Sequence, residues 1–272
     1  MRGRLANDVS VDDGLVTTAP PLQRSLAAII GVTGLAVVFL VAYGPIAQPL
    51  EYHRYADART IAGIPHFWNV VSNLPFAGIG LLGFWWITRQ RTARLLAGTA
   101  VQAMWTVLFA GEFLTCFGSA YYHAIPSNAT LVWDRLAFSL ILTSFFSIVI
   151  AELVSAKTGR RMLVPMVVAG LASVVYWAWT ESRGHGDLRP YALVQFVPVI
   201  LIPILALLSR GSLVPSMYFL AAWVLYVVAK VCEIQDAAIY DLTGFWSGHT
   251  LKHLLAAAAS AVPLVALMRK RN

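Results

Sequence analysis

The sequence predicts an all-α integral membrane protein with about eight transmembrane helices. Of its 272 residues, 58% are hydrophobic and only 12% are charged, and the mean hydropathy is +0.69. A water-soluble domain would carry about 25% charged residues. Apolar stretches long enough to cross a hydrocarbon core of ~30 Å recur along nearly the whole chain, so a sizeable soluble domain has no room.

The predicted spans follow a polar amino-terminal segment. Residues 1–24 include Asp8, Asp12 and Asp13 and are predicted to form a disordered tail. The first span is too long for the apolar part of a signal peptide, and no convincing cleavage pattern follows it, so we expect it to be retained. The spans are predicted at 25–44, 69–88, 97–122, 130–154, 162–180, 190–208, 215–233 and 248–268.

Basic residues lie mainly at one set of span ends. If the spans alternate in direction, the arginines and lysines before the first span and after the second, fourth, sixth and eighth spans share one side of the membrane. The positive-inside rule then places both termini in the cytoplasm. This distribution accounts for the net charge of +7, so we predict no nucleic-acid partner.

Polar residues cluster where the third span ends and the fourth begins, in GSAYYHAIPSNATLVWDR. Ser119 and His123 are four residues apart, which puts them about 40° apart around one helix. A short turn makes the two helices antiparallel neighbours, so Asp134 can reach the face that carries His123.

A second cluster, SGHTLKHLL, opens the last span. Two imidazoles at i and i+4, here His249 and His253, can bind one metal ion, as in HExxH zinc helices. The glutamate base of that motif is absent. The alternating topology puts His123, His249 and His253 in the same, non-cytoplasmic half of the membrane, and three histidines at one depth predict a tetrahedral Zn²⁺ site with an open position for water.

Other interpretations of these side chains exist. A histidine near a span end is often an interfacial side chain, and Ser119 alone could bond a backbone carbonyl or a neighbouring helix. Asp134 could be a helix N-terminal charge or a partner of Arg135. We expect the residues before the histidine pair and those of the loop ESRGHGDLR to be solvated and not to bind zinc; they are Lys230, Glu233, Asp236, Asp241, His185 and Asp187. His53 and His66, in the long loop before the second span, are not predicted as ligands either.

With these residues assembled, the chain resembles the alkaline ceramidases. They belong to a superfamily of seven-helix membrane hydrolases that also includes the progestin and adipoQ receptors. The family pattern has Ser-x-x-x-His near the end of its second helix, Asp eleven residues later and His-x-x-x-His on its seventh, matched here by Ser119, His123, Asp134, His249 and His253. FWNVVSNLPF, from Phe67, resembles the opening of the family's first helix.

The resemblance covers about residues 50–268 and implies a seven-helix bundle preceded by one extra transmembrane helix. The chain then divides into a tail (1–24), the extra helix (25–44), a non-cytoplasmic loop (45–68) and a ceramidase-like catalytic domain (69–272). By resemblance, the three histidines hold zinc, Asp134 handles the proton of the zinc water and Ser119 helps to hold the oxyanion. The family's calcium site is poorly matched, because YHRYADARTIAGIPHFWN offers only Asp57 as a plausible oxygen ligand, so we do not expect a calcium requirement.

The expected function is zinc-dependent hydrolysis of the amide of ceramide-like N-acyl lipids, giving a fatty acid and a sphingoid base. The expected partner is therefore a membrane lipid. Two alternatives use the same residues differently. The protein could be a lipid receptor or act on another lipid amide or ester, or it could be a proton-coupled transporter that depends on Asp134 and not on zinc.

Overall fold

The structure, a computed structural model, describes residues 22–89, 101–209 and 214–269, and these ranges contain no β-strand. Eight helical spans are long and apolar enough to cross a membrane, which confirms the predicted all-α membrane bundle. The helices are α1 (Leu22–Tyr43), α2 (Phe67–Val71), α3 (Leu74–Thr88), α4 (Val101–Ala124), α5 (Asn128–Leu153), α6 (Ala156–Ser182), α7 (Arg189–Leu208), α8 (Ser216–Ile234), α9 (Asp236–Thr243) and α10 (Gly248–Arg269).

Most spans begin and end within three residues of their predicted positions, but α6 begins at Ala156, six residues before the predicted 162, where the Ser155 side chain caps the helix. The predicted start of the third span, at 97, lies outside the described residues. Helix α1 begins at Leu22, so the predicted tail boundary at 24 is late; residues 1–21 of that tail lie outside the described residues. The second span is divided into α2 and α3 because Pro75 lacks the N–H that a continuous helix requires. The Asn73 side chain donates to the carbonyl of Asn69 at 2.8 Å and bridges the break.

Seven of the spans form a ring, and α1 lies outside it. Helices α3 to α8 contact one another in chain order, and α10 closes the ring by contacting both α8 and α3. Helix α5 is the most buried span and also contacts α7. Helix α1 packs against α7 and has a single buried residue, Ser25. The arrangement agrees with a seven-helix core preceded by one additional helix.

Helices α4 and α5 approach closely at Gly118, beside two of the predicted site residues. A Cβ atom on Gly118 would lie 2.6 Å from the Trp133 carbonyl oxygen and 3.4 Å from the Asp134 nitrogen. Glycine is therefore required here for the backbones to come this close. The contact holds Ser119, the next residue of α4, against the part of α5 that carries Asp134.

We expect Gly118→Ala to destabilise the protein by about 1 to 3 kcal/mol, because the added methyl group overpacks the contact between α4 and α5. The matched control is Gly78→Ala in α3, where a Cβ would meet no atom within 4 Å. That control should be neutral or stabilising by up to about 1 kcal/mol. Unfolding in mixed micelles by sodium dodecyl sulfate titration, followed by circular dichroism, measures both. Equal stability of the two variants would contradict the assignment.

Candidate metal centre in the bundle

The three predicted histidines meet inside the bundle. His123 lies one residue before the end of α4, and His249 and His253 lie in the first two turns of α10. Their exposed fractions are 0%, 3% and 3%. One ring nitrogen from each lies within 4.8 Å of the other two. The three side chains are therefore close enough to bind one metal ion, and the prediction that they share one level of the bundle is confirmed.

The hydrogen bonds around His253 determine which of its nitrogens is free. Its Nδ1 lies 2.8 Å from the Ser72 hydroxyl, and that hydroxyl donates its proton to the Asn69 carbonyl at 3.2 Å. Because the hydroxyl has a single proton, both contacts are hydrogen bonds at once only when Nδ1 of His253 carries a proton and donates it to Ser72. Nε2 then carries a lone pair, as a metal ligand requires. Orientation of a ligating histidine by a hydrogen bond on its other nitrogen is the usual arrangement at metal sites.

The same free nitrogen faces His123. The two Nε2 atoms are 3.1 Å apart, and among the described residues the buried Nδ1 of His123 has no hydrogen-bond partner. Two nitrogens bound to one tetrahedral zinc at 2.0 to 2.1 Å would be separated by about 3.3 to 3.4 Å. The spacing of these nitrogens therefore suits one small cation without large movement of either helix.

The third histidine, His249, lies beside a cluster of ion pairs whose members we expect from the sequence to be solvated. Lys252 Nζ is 2.9 Å from His249 Nε2 and 3.0 Å from the Glu233 carboxylate. Glu233 also forms an ion pair with Lys230 and accepts from the Tyr52 hydroxyl at 3.1 Å. Both residues lie within the predicted span 215–233, but the expectation that they are solvated is wrong because both line the cavity inside the ring.

The segment after α8, which we expect from the sequence to be a solvated loop, is helical. Asp236 and Asp241 form part of helix α9. The Asp236 carboxylate accepts from the backbone N–H of His249 at 2.7 Å and from that of Ala56 at 2.9 Å. It satisfies one of the free N–H groups at the start of α10 and so fixes the turn that carries His249.

Ser119 and Asp134 line a cavity next to His253. The cavity has a volume of about 250 Å³. Ser119 is buried, and its hydroxyl interacts with the Asp134 carboxylate. The alternative interpretations of Asp134 fit less well. The helix dipole acts mainly within the first turn, and Asp134 lies beyond the first turn of α5. In the part of the chain that is described, Asp134 also forms no ion pair with Arg135.

A smaller, largely apolar cavity of about 60 Å³ adjoins this one. The two cavities share Phe138, Gln195, Tyr226 and Ala256 as wall residues. The polar part therefore lies at His253, Ser119 and Asp134, and the apolar part extends between α5, α7, α8 and α10. A molecule that fits both parts must be amphiphilic.

The segment 44–66, which we call the covering loop, packs over the histidines. The Tyr55 ring lies edge-on to the rings of His123 and His249, with centroids 4.9 and 4.7 Å away. Burial raises the pKa of Tyr55 far above its ordinary value, so its phenol stays neutral. Tyr55 is an aromatic cover of the site that the sequence analysis missed, since no sequence pattern connects this loop to the distant histidines.

Other residues of the covering loop have structural partners. His53 bonds Tyr122 and Asn128 and lies outside the histidine cluster. Burial alone would raise the pKa of Asp57, but hydrogen bonds from the backbone and guanidinium of Arg59 outweigh it and lower that pKa below its ordinary value. The Asp57 carboxylate is thus engaged within the loop itself.

The loop ESRGHGDLR is only partly exposed. His185 is exposed as predicted, but Asp187 is buried. Its carboxylate forms an ion pair with Arg189 and accepts from the backbone N–H of Ile46. The prediction of an exposed Asp187 is wrong because this carboxylate links the start of α7 to the covering loop.

A comparison of the chain with models of known protein families gives no match, and neither does a comparison with curated proteins.

Proposed function

We propose that this protein is a zinc-dependent hydrolase that cleaves the amide bond of ceramide-like N-acyl lipids within the membrane. The observation that carries the proposal is the cluster of three buried histidines, one of which, His253, lines the polar end of an amphiphilic cavity together with Ser119 and Asp134. The proposal puts both termini in the cytoplasm, because the basic residues cluster at those span ends.

The donor set suits a zinc ion. Three neutral imidazoles, with no thiolate in the cluster and no carboxylate among its members, are the ligand set of many catalytic zinc sites. A zinc ion held there would supply an activated water and polarise the substrate carbonyl. The contacts of Ser72 favour the required tautomer of His253, and the Nε2 atom of His123 lies 3.1 Å from that of His253.

Ser119 and Asp134 would act on the two charges that develop during hydrolysis. The Asp134 carboxylate takes a proton from the attacking water and passes it to the leaving nitrogen as the C–N bond breaks. The Ser119 hydroxyl donates to the oxygen of the tetrahedral intermediate, where such donors lower a barrier most. The products are a fatty acid and a free amine.

The walls of the two cavities support a lipid substrate. The smaller cavity offers an acyl chain a nearly apolar environment, with Ile141, Phe145 and Trp223 among its wall residues. The larger cavity carries the polar groups that an amide and a head group require. Its wall includes Phe196, which is also exposed on α7, so the proposal has the lipid enter from this side of the bundle.

Metal analysis tests the first part of the proposal. We expect the detergent-purified protein to bind about one zinc ion per chain. His249→Ala should lose the zinc, because only two of the three protein ligands of a catalytic zinc site then remain. Inductively coupled plasma mass spectrometry measures the metal and identifies it. His185→Ala, a substitution of an exposed histidine, should keep the full zinc content. A wild-type protein that takes up no zinc from a zinc-containing buffer would overturn the metal assignment.

Loss of the Ser72 hydroxyl should weaken metal binding without removing a ligand. We expect Ser72→Ala to lower zinc affinity about 10-fold to 100-fold, because His253 is then free to adopt the other tautomer and to rotate. Competition with a chromophoric chelator measures the affinity. Ser173→Ala is the matched control, because Ser173 is also buried and also donates to a backbone carbonyl, that of Gly170, at a distance from the histidines. An unchanged affinity in Ser72→Ala would contradict the assigned tautomer.

Hydrolysis tests the second part of the proposal. We expect the zinc-loaded protein to release fatty acid and sphingoid base from ceramide, detected by mass spectrometry, and a chelator to stop the reaction. Asp134→Asn should lower kcat about 10²-fold to 10⁴-fold, and Ser119→Ala about 10²-fold to 10³-fold. Ceramide hydrolysis that survives in a His249→Ala, His253→Ala double variant would exclude this mechanism. A zinc-loaded protein that binds the lipid and never cleaves it would be a receptor.

A further inference from the structure

One buried cation in the cavity wall has no anionic partner. Arg135 is 7% exposed and lines the larger cavity. No carboxylate of the described residues forms an ion pair with it, and its Nη1 atom has no hydrogen-bond partner. Its Nη2 donates to the Gln48 side chain, which is neutral. A charged side chain at this depth ordinarily pairs with an opposite charge or marks a functional site.

Aromatic rings hold the guanidinium in place. Its central carbon lies 4.3 Å from the ring centroid of Trp177, 5.0 Å from that of Tyr191 and 5.9 Å from that of Tyr52. These cation–π contacts stabilise the charge without neutralising it. The cage also fixes the direction of the side chain, which lines the cavity.

The other charges of the cavity wall do not compensate Arg135. Glu233 is already occupied by Lys230, Lys252 and the Tyr52 hydroxyl. Asp134 interacts with Ser119. The wall thus holds two lysines and an arginine against two carboxylates, and a bound divalent cation would increase the positive excess. The cavity therefore favours an anionic ligand.

We infer that the substrate of this site is an N-acyl lipid whose head group carries an oxyanion, a carboxylate or a phosphate, and that Arg135 binds it. This inference rests on the proposed function for the cleaved amide. Arg135 follows Asp134 directly in α5, and both line one cavity. An anionic group a few bonds from the amide can therefore reach Arg135 while the amide lies near Asp134 and His253. The planar guanidinium suits carboxylate and phosphate oxygens alike.

Two matched lipid pairs with the same acyl chain test this inference. Ceramide 1-phosphate is compared with ceramide, and N-acylserine with N-acylserinol, in zwitterionic micelles with the zinc-loaded protein. We expect the anionic member of at least one pair to have a kcat/KM about 10-fold to 100-fold higher, the range of a hydrogen bond to a charged group. The pair that gives the preference identifies phosphate or carboxylate. Ratios near one in both pairs would overturn the inference without any variant.

Substitutions of Arg135 test whether its guanidinium causes the preference for anionic lipids. In Arg135→Gln the anionic-to-neutral ratio should fall about 10-fold to 100-fold, mainly through KM. Arg135→Lys should keep part of it, because lysine keeps the charge but not the planar fork. Arg160→Gln, a substitution of an exposed arginine on α6, should leave the ratio unchanged. If Arg135→Gln lowers both members of a pair equally, or fails to fold while Arg135→Lys keeps the full ratio, specific recognition by the guanidinium is excluded.

A binding measurement separates this inference from the proposed function. If the zinc-loaded protein cleaves none of the four lipids, native mass spectrometry compares their binding to the wild type and to Arg135→Gln. Preferential binding of an anionic lipid that depends on Arg135 would support the head-group inference and contradict the hydrolase. Equal binding of anionic and neutral lipids would overturn the inference whether or not hydrolysis occurs.

Discussion

Polar side chains inside a membrane-spanning bundle must find their partners within the protein, because the hydrocarbon core offers no water to replace a missing hydrogen bond. In this protein the constraint applies to His123 and His253, which are buried in the bundle. Their Nε2 atoms are 3.1 Å apart, and the network from Ser72 leaves a lone pair on that of His253. Without a cation, one neutral ring has to donate to the other. A bound cation would instead interact with the Nε2 lone pairs of both rings.

Several features of the surrounding structure fix the positions of these histidines. Gly118 lets α4 and α5 approach closely, the break between α2 and α3 turns Ser72 toward α10, and Asp236 caps the start of α10. The covering loop then closes the site with Tyr55, and bonds from the loop to Glu233 and Asp236 tie it to α8 and α9. The bonds made by Ser72, Glu233 and Asp236 also give hydrogen-bond partners to groups inside the protein.

The sequence predicts the spans and the histidine cluster well because both depend on local patterns. Apolar runs locate the helices, and spacing at i and i+4 puts His249 and His253 on one face. The partners of these residues depend on contacts between segments far apart in the chain. Tyr55 reaches the site through a loop whose path no periodicity reveals, and Glu233 faces inward because of the rotation of α8 about its axis. The same applies to Ser72, whose role appears only when α10 is packed against α2.

The surroundings of the two inward-facing carboxylates assign them different roles. Glu233 receives Lys230, Lys252 and the Tyr52 hydroxyl, so its oxygens are occupied and its charge balances the lysines. This matters because Lys252 also lies 2.9 Å from His249 Nε2, where its ammonium group would otherwise oppose a bound cation. Asp134 forms no ion pair within the described ranges and faces the cavity beside Ser119. Proton transfer requires a carboxylate with a free oxygen at the substrate. In the proposed hydrolysis Asp134 meets that requirement, whereas the Glu233 carboxylate is held by Lys230, Lys252 and the Tyr52 hydroxyl.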